Sequence, residues 1–219
     1  MEAKKIFNEV YKIDGKIATL NLVRGKKVYN EVLVDINGIE YRLWNPYRSK
    51  LSAAILKGLK TFAIKKGSYV LYLGASTGTT SSHVSDIVGI DGRIYAVEIS
   101  ERSMRDLIKL CEIRNNMLPI LEDASHPDRY AEVINTCDII YQDVSAKNQV
   151  EILRNNSRFL KKGGIAYFII KSQSIDISRP PEKIFEESLQ SLSDIFDVVE
   201  KLTLEPYDNM HMFAVLKKR

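Results

Sequence analysis

The sequence predicts an α/β fold in which a mostly parallel sheet, flanked by helices, follows a small antiparallel sheet. Two observations support this prediction. From Tyr69 onward, short apolar runs typical of buried strands alternate with amphipathic helical segments. Before Trp44 the apolar runs are shorter, and glycine-containing turn pairs separate them. A chain of 219 residues can hold one medium α/β domain with a small annex, and we expect the division to fall between residues 1–45 and 46–219.

The first 45 residues are predicted to form four antiparallel strands, over residues 4–10, 17–23, 28–34 and 40–43. Their separators, Asp14-Gly15, Arg24-Gly25 and Asn37-Gly38, are pairs that favour tight turns. The segment from Trp44 to Ser49 then leads into a helix predicted over residues 50–62, with Ser49 as its N-cap.

In the larger part of the chain, from residue 46 onward, predicted strands alternate with predicted helices. Helices are predicted over residues 102–114 and 148–159 and from Pro180-Pro181 onward. Strands are predicted over residues 69–73, 93–97, 119–121, 138–141, 165–170, 196–204 and 211–216. A short turn-rich link joins the last two strands, so one strand of the sheet should run antiparallel to the others.

Composition excludes several classes of protein. No apolar run approaches the ~20 residues that a membrane span needs, and the polar N-terminus predicts no signal peptide. Cys111 and Cys137 lie in apolar contexts, which favours buried thiols. The three histidines are scattered, so no metal site is expected; His83 is assigned to a helix surface and His126 to a loop.

The net charge of +4 is unevenly distributed. Residues 1–60 carry twelve Lys and Arg against six Asp and Glu, whereas the remainder is slightly acidic. The basic excess therefore belongs to the N-terminal quarter, the opposite of a uniformly basic surface for nucleic acid. It is too modest to predict tight binding of nucleic acid, which depends heavily on neutralised phosphates.

A small-residue turn between Gly74 and Gly78 follows the first strand of the larger sheet. Its glycines allow close approach of a ligand, and the turn N–H groups and hydroxyls can hold an anionic group at the next helix. The spacing differs from those of nicotinamide-binding and P-loop proteins. It is similar to the first motif of S-adenosylmethionine-dependent methyltransferases, although such turns also serve packing alone. The cofactor-binding residues expected here are Gly74, Ala75, Gly78, Thr79 and Thr80.

Acidic residues end the next strands of the predicted sheet. Glu98, roughly 20 residues past the glycine turn, can accept hydrogen bonds from ribose hydroxyls, or it can be a solvated residue at the start of a loop. Asp123 and Ala124 follow the third strand and suit the rim of an adenine site. Asp143 follows the fourth strand.

Together these segments resemble fibrillarin in sequence and order. They are Leu73-Gly-Ala-Ser-Thr-Gly-Thr-Thr80, Ala96-Val-Glu98, Pro119-Ile-Leu-Glu-Asp-Ala124, Gln142-Asp-Val144, Lys171-Ser-Gln-Ser-Ile-Asp176 and Leu204-Glu-Pro-Tyr207. Since the chain lacks the Arg/Gly-rich tail of eukaryotic members, it resembles the archaeal form, and this resemblance implies a cytoplasmic location. The resemblance implies a Rossmann-like methyltransferase that uses S-adenosylmethionine to methylate ribose 2′-hydroxyls of rRNA and tRNA. It also implies a box C/D guide RNA, a kink-turn-binding protein and a Nop-domain scaffold as partners.

The resemblance also implies a reactive set, at Lys50, Asp143, Lys171 and His211. We expect Lys171 to contact the 2′-hydroxyl and Asp143 to orient Lys171, with the other two assisting. Lys50 as an exposed lysine, and His211 as a half-buried packing residue, are the alternatives. Gln149 matches a family glutamine and is assigned to the cofactor site, as is Asp143, whereas Ala146 stands where the family usually has glutamine.

Two other functions compete with this one. A stand-alone methyltransferase acting on a small molecule or a protein would carry the same glycine turn. A structural subunit could retain the fold without turnover. The combined presence of Gly74, Gly78, Glu98, Asp123 and Asp143 favours an active enzyme.

Overall fold

The structure, a computed structural model, describes residues 2–219 and contains two sheets. The smaller sheet is antiparallel, with strand order β1-β2-β3-β5-β4. Its strands are β1 (Lys4–Phe7), β2 (Val10–Ile13), β3 (Lys16–Leu20), β4 (Leu33–Ile36) and β5 (Ile39–Trp44).

This sheet has five strands where the sequence predicts four. The first predicted strand is broken by a turn in which Glu9 has a φ of +54°. This turn contains no glycine, so the sequence did not indicate it. The strand predicted over residues 28–34 begins only at Leu33, as β4, and the one predicted over 17–23 ends at Leu20. Irregular backbone follows, because the Glu31 carboxylate accepts hydrogen bonds from the N–H groups of Val28 and Tyr29 at 2.9 and 2.8 Å and thereby replaces strand pairing.

The larger sheet has seven strands in the order β11-β12-β10-β9-β6-β7-β8. All neighbouring pairs are parallel except those of β12, which runs antiparallel to both β10 and β11. This confirms the predicted fold class. The strands are β6 (Tyr69–Leu73), β7 (Arg93–Glu98), β8 (Met117–Leu121), β9 (Cys137–Gln142), β10 (Leu160–Lys171), β11 (Phe196–Thr203) and β12 (His211–Lys218).

Helices and short 3₁₀ segments connect these strands. They are α1 (Lys50–Leu56), α2 (Thr79–Val88), α3 (Glu101–Ile113), α4 (Gln149–Asn156), α5 (Ser172–Ile175), α6 (Pro181–Gln190) and the 3₁₀ helices Pro127–Val133 and Ser157–Phe159. The helix predicted over residues 50–62 ends at Leu56, since Gly58 has a φ of +94°. The chain beyond it is held instead by Glu200, which accepts from the N–H groups of Lys60 and Thr61. None of the helices in residues 2–219 is long and apolar enough to span a bilayer.

One apolar core joins the smaller sheet to the larger one. Val10, Ile17 and Trp44 pack in the same cluster as residues of α1, α2 and β6. The assignment of His83 to a helix surface is wrong: its ring is fully buried and stacks on Trp44, with centroids 4.6 Å apart. Burial, together with two nearby arginines, holds the pKa of His83 well below its usual value of 6.5, so the ring is neutral. His126 lies exposed in a loop, as predicted.

Four buried charged residues, the buried ion cluster, also link the two sheets: Glu31, Arg42, Asp86 and Arg114. One oxygen of Asp86 lies 2.7 Å from Arg42 Nη1, and the other lies 2.6 Å from Arg114 Nη1. Arg42 also pairs with Glu31 at 2.7 Å. Since Arg42 belongs to β5 and Asp86 to α2, the smaller sheet is fixed to the helix that follows the glycine turn.

Candidate active site

A cavity of about 640 Å³ lies beyond the carboxyl ends of the parallel strands. This is where open α/β sheets bind ligands, and the volume is in the usual range for cofactor sites. Most residues that the sequence assigns to the cofactor and the chemistry line it. They are Lys50, Gly74, Ala75, Thr79, Thr80, Glu98, Asp123, Ala124, Asp143 and Lys171.

The glycine turn at the cavity floor allows two close approaches. A Cβ atom on Gly74, which has a φ of +83°, would lie 2.6 Å from the carbonyl oxygen of Asp143. A Cβ atom on Gly78 would lie 2.2 Å from Leu110 Cδ2, and Gly78 does not line the cavity. Gly78 therefore serves helix packing, whereas Gly74 lets the turn after β6 meet the loop after β9.

Glu98, the last residue of β7, links the glycine turn after β6 to the loop that follows β7. Its side chain accepts from the N–H of Ser76 at 2.7 Å and from the N–H of Ser100 at 2.8 Å. The residue is 8% exposed, so the alternative of a solvated loop residue does not hold. Each oxygen retains accepting capacity toward the cavity, because a carboxylate has about four acceptor positions.

The rim at the end of β8 is also acidic. Asp123 Oδ1 accepts from the N–H of Ser125 at 2.8 Å, which fixes the carboxylate beside the buried Ala124. Both residues line the cavity. This part of the wall can therefore accept a hydrogen bond from an amino group.

Opposite this rim, five side chains form a continuous chain of contacts that we term the reactive cluster. Lys171 Nζ lies 2.7 Å from Asp143 Oδ1, and Lys50 Nζ lies 3.2 Å from Asp143 Oδ2. Lys50 Nζ is also 3.4 Å from Asp208 Oδ2. The chain ends at His211, whose Nδ1 lies 2.6 Å from Asp208 Oδ1. The structure thus brings together all four predicted reactive residues and adds Asp208.

Four separate elements position this cluster. Asp143 follows β9 and Lys171 ends β10, so the parallel pairing of these strands places both at one edge. His211 begins β12, directly opposite Lys171 in the ladder. Lys50 is the first residue of α1, whose N-cap is Ser49 as predicted. The Ser49 hydroxyl accepts from Thr80, which ties the start of α1 to the start of α2.

The charges of the cluster stabilise one another. Burial favours the neutral form of Asp143, but Lys50 and Lys171 outweigh it and hold the pKa of Asp143 below its usual 3.8. Burial likewise opposes the charge of Lys50, but Asp143 and Asp208 raise the pKa of Lys50 above its usual value. Because the folded-state pKa of Asp143 is depressed, its contribution to stability is present above pH 3.8 and disappears as the pH falls through the folded value.

Gln149 lies elsewhere than the sequence predicts. It is fully buried and does not line the cavity. Its side chain donates to the carbonyls of Ala146 and Lys171, at 2.8 and 3.1 Å, and accepts from the N–H of Lys171 at 3.0 Å. Gln149 therefore fixes the backbone that carries Lys171, while Ala146 itself lines the cavity.

Three residues that contact or adjoin the reactive lysines are not among those that the sequence predicts: Ser145, Asp208 and Arg48. Ser145 Oγ lies 3.0 Å from Lys171 Nζ. Asp208 stands three positions before His211, a spacing that could have indicated a turn contact. Arg48 lines the cavity, and its guanidinium lies over the Tyr29 ring without a carboxylate partner in residues 2–219. The only feature of the sequence that places Arg48 near the site is its position before the Ser49 cap.

A second, smaller depression of about 210 Å³ adjoins the reactive cluster, and we term it the side groove. Tyr47, which is 67% exposed, lies edge-on to Tyr207 there, with ring centroids 5.2 Å apart. The groove shares three residues with the main cavity, so the two depressions meet at the reactive cluster. Its lining is Pro46, Tyr47, Arg48, Ser49, Lys50, Asp143, Tyr207 and Asp208.

The sheet order with β12 inserted antiparallel, the glycine turn and the acidic strand ends define the fold of the S-adenosylmethionine-dependent methyltransferases. The model of the fibrillarin family matches residues 1–219. The chain belongs to the fibrillarin family, which confirms the resemblance seen in the sequence.

Individual relatives agree with this assignment. The chain is 49% identical to the fibrillarin-like rRNA/tRNA 2′-O-methyltransferase of Pyrococcus furiosus over 93% of this chain and 90% of that protein. It is 39% identical to an Aeropyrum pernix fibrillarin crystallised with natively bound S-adenosylmethionine, with a TM-score of 0.90 and coverage of 99% and 98%. A fibrillarin in complex with Nop5p gives the same identity and TM-score, with coverage of 99% and 100%.

Proposed function

We propose that the protein is an S-adenosylmethionine-dependent methyltransferase that modifies ribose 2′-hydroxyls in rRNA and tRNA. The observation that carries the proposal is the reactive cluster, which stands where a cofactor-sized cavity meets an open groove. The similarity to the Pyrococcus furiosus enzyme supports the same reaction.

The donor set of the cavity fits the cofactor. Glu98 would accept from the ribose hydroxyls and Asp123 from the adenine amino group, while the turn at Gly74 would admit the ligand to the backbone. When bound, S-adenosylmethionine supplies a methyl group activated by the adjacent sulfonium charge. The protein's remaining tasks are to align the acceptor hydroxyl and to remove its proton.

The reactive cluster can perform both tasks. Lys171 Nζ donates to the backbone carbonyl of Asp143 and to Ser145 Oγ, and it forms an ion pair with Asp143 Oδ1. The side chain is only slightly exposed, so its amino group is held in one place. Deprotonated, it would accept the hydroxyl proton, while Lys50 would stabilise the developing negative charge on the oxygen. The ionised Asp143 orients both lysines, since each of its oxygens faces one of them.

The side groove is the proposed entry for the acceptor nucleotide. Arg48 has no carboxylate partner in residues 2–219 and can meet a phosphate, and the exposed Tyr47 ring can contact a base or a ribose. Both lie beside Lys50 and Asp143. An RNA strand in the groove would therefore present its 2′-hydroxyl to the reactive cluster.

The proposed assembly is a guide ribonucleoprotein. A Nop-domain protein is the direct partner, in keeping with the fibrillarin that was crystallised with Nop5p. A box C/D guide RNA and a kink-turn-binding protein complete the particle. Base pairing with the guide would supply sequence specificity, which the short side groove is too small to provide.

Reconstitution tests this function. The purified chain is expected to bind S-adenosylmethionine but to methylate RNA negligibly alone, because its modest basic excess provides few phosphate contacts. With scaffold, kink-turn-binding protein and guide, it should methylate one mapped 2′-hydroxyl on a complementary RNA. A particle with a non-complementary guide is the control. Tight RNA binding by the chain alone at physiological salt, or site-specific methylation without a guide, would overturn the guided mechanism.

A substitution tests the assignment of the cofactor's ribose. Glu98→Ala is expected to weaken S-adenosylmethionine binding by about 1.5–3 kcal/mol, the usual worth of a hydrogen bond to a charged group. Titration calorimetry on the isolated protein measures this. Glu101→Ala, an exposed carboxylate in the first turn of α3, is the matched control and should leave the affinity unchanged. Equal affinities for the two variants would refute the assignment of Glu98.

A further inference from the structure

We propose that Asp208 is a positioning residue of the methyl transfer, which fixes the ring of His211 and the ammonium of Lys50 on either side of one carboxylate. This inference rests on the proposed function and extends it to a residue outside the predicted reactive set. Asp208 lies in the link between β11 and β12, where sequence analysis expects only a turn.

The contacts of Asp208 use its two oxygens separately. Oδ1 is 2.6 Å from His211 Nδ1, whereas Oδ2 is 3.4 Å from Lys50 Nζ. Both partners belong to the reactive cluster, and each comes from a different element. Without Asp208, His211 would lose its described side-chain partner, and Lys50 would depend on Asp143 alone, which it shares with Lys171.

The short contact to His211 fixes the state of the imidazole ring. A carboxylate can only accept, so Nδ1 must carry the hydrogen in the neutral ring. The lone pair then lies on Nε2, and this nitrogen is the one that can accept a hydrogen bond or a proton. Asp208 thereby determines which ring nitrogen of His211 is available as an acceptor, and it also fixes the orientation of the ring.

The backbone holds the Asp208 carboxylate at the edge of the site. The N–H groups of Tyr207 and Asp208 both donate to the carbonyl of Leu204, at 2.9 and 3.2 Å, and close a tight turn. The Asp208 side chain is 29% exposed and borders the side groove beside Lys50. A partly exposed carboxylate that faces a groove contributes little to core packing. Its contacts are therefore directed at the reactive cluster.

The first experiment reads the imidazole ring without any activity. Nitrogen-15 NMR of labelled histidine in the isolated protein distinguishes hydrogen on Nδ1 from hydrogen on Nε2, and loss of a signal in His211→Gln assigns it. At a pH where the ring is neutral, the wild type is expected to show the Nδ1–H form. Asp208→Ala should move His211 toward Nε2–H, and Asp208→Glu should retain Nδ1–H. Asp197→Ala is the control, since Asp197 pairs with Arg219 away from the site.

The second experiment measures rates in the reconstituted particle. Asp208→Ala is expected to lower kcat by roughly 10- to 100-fold, below the full 10²–10⁴ of a direct acid–base group. The Kd for S-adenosylmethionine should stay within about twofold of the wild type, since Asp208 does not line the main cavity. Asp208→Glu should recover most of the rate. Asp208→Ala combined with His211→Ala and Lys50→Ala should cost less than the product of the single losses, because one carboxylate serves both partners.

The outcomes separate this proposal from the proposed function. An active wild-type particle with an equally active Asp208→Ala particle would overturn the role of Asp208 alone, as would an unchanged tautomer in that variant. A wild-type particle that fails to methylate guided RNA contradicts the proposed function itself. Thermal unfolding is the control for stability. If Asp208→Ala and the wild type unfold at the same temperature, a lower rate in the variant does not come from a loss of fold.

Discussion

Asp143→Ala is expected to reduce the rate of guided methylation by roughly 10²–10⁴-fold, the range for losing acid–base catalysis. The Asp143 carboxylate lies between Lys50 and Lys171 and faces one lysine with each oxygen. Its removal leaves the two amino groups without the carboxylate that orients them. The pKa of Lys50 should also fall, since Asp143 is one of the two carboxylates that raise it. Single-turnover methylation at saturating cofactor in the reconstituted particle measures the effect.

The matched control for Asp143 is Asp138→Ala. Asp138 also pairs with a lysine and accepts from the N–H of Tyr69, but it lies near the start of β9, whereas Asp143 follows the end of that strand. Its loss should leave the single-turnover rate near that of the wild type. Lys171→Ala should be as slow as Asp143→Ala, and the double variant should cost much less than the product of the two, because the pair acts as a unit. Wild-type rates for either single variant would refute the assigned roles.

The largest effect on stability is expected from Asp86→Ala, at about 3–5 kcal/mol of the free energy of unfolding, the usual cost of breaking a buried ion pair from one side. Asp86 accepts from Arg42, Arg114, Thr19 Oγ1 and the N–H of Leu22. Both arginines are essentially without exposure. The substitution therefore leaves Arg114 buried without a carboxylate partner and Arg42 with Glu31 alone. Denaturant titration followed by circular dichroism measures the loss.

An exposed ion pair provides the comparison for Asp86. Asp106 pairs with Lys109 on the surface of α3 at 3.2 Å, with both side chains largely in solvent. Its replacement by alanine should change the free energy of unfolding by no more than about 1 kcal/mol. If Asp86→Ala lowered the free energy of unfolding by no more than Asp106→Ala does, the buried ion cluster would not be what fixes the smaller sheet to α2.

Strong local patterns explain which parts of the fold were predictable. The apolar runs of β6, β9 and β10 are buried on both faces of the sheet, and this gives an unambiguous signal of parallel strands. The segment from residue 21 to 32 gave no such signal. Its backbone is held by the carboxylates of Glu31 and Glu40, contacts that no periodicity records. The buried ion cluster was equally unpredictable, since charged residues are rarely fully buried and a lone sequence does not reveal their partners.

The site divides in a similar way. Residues that end strands, such as Asp143 and Lys171, could be placed because parallel strands bring their carboxyl ends together. Gln149 was misplaced because a long amide beside a cavity can as easily turn inward and bind backbone. Asp208 escaped notice because it lies in a turn, and only the three-dimensional meeting of that turn with α1 gives it two partners.

The buried ion cluster also bears on the synthesis of the chain. Residues up to Trp44 leave the ribosome well before Asp86 and Arg114, and N-terminal parts of a chain generally fold first. The β5 strand would then emerge with Arg42 matched by Glu31 but lacking its second carboxylate. We therefore expect the nascent antiparallel sheet to stay open to water on this side until α2 and α3 have been translated. Its closure would then coincide with completion of the cavity wall, to which the first residues of α2 contribute.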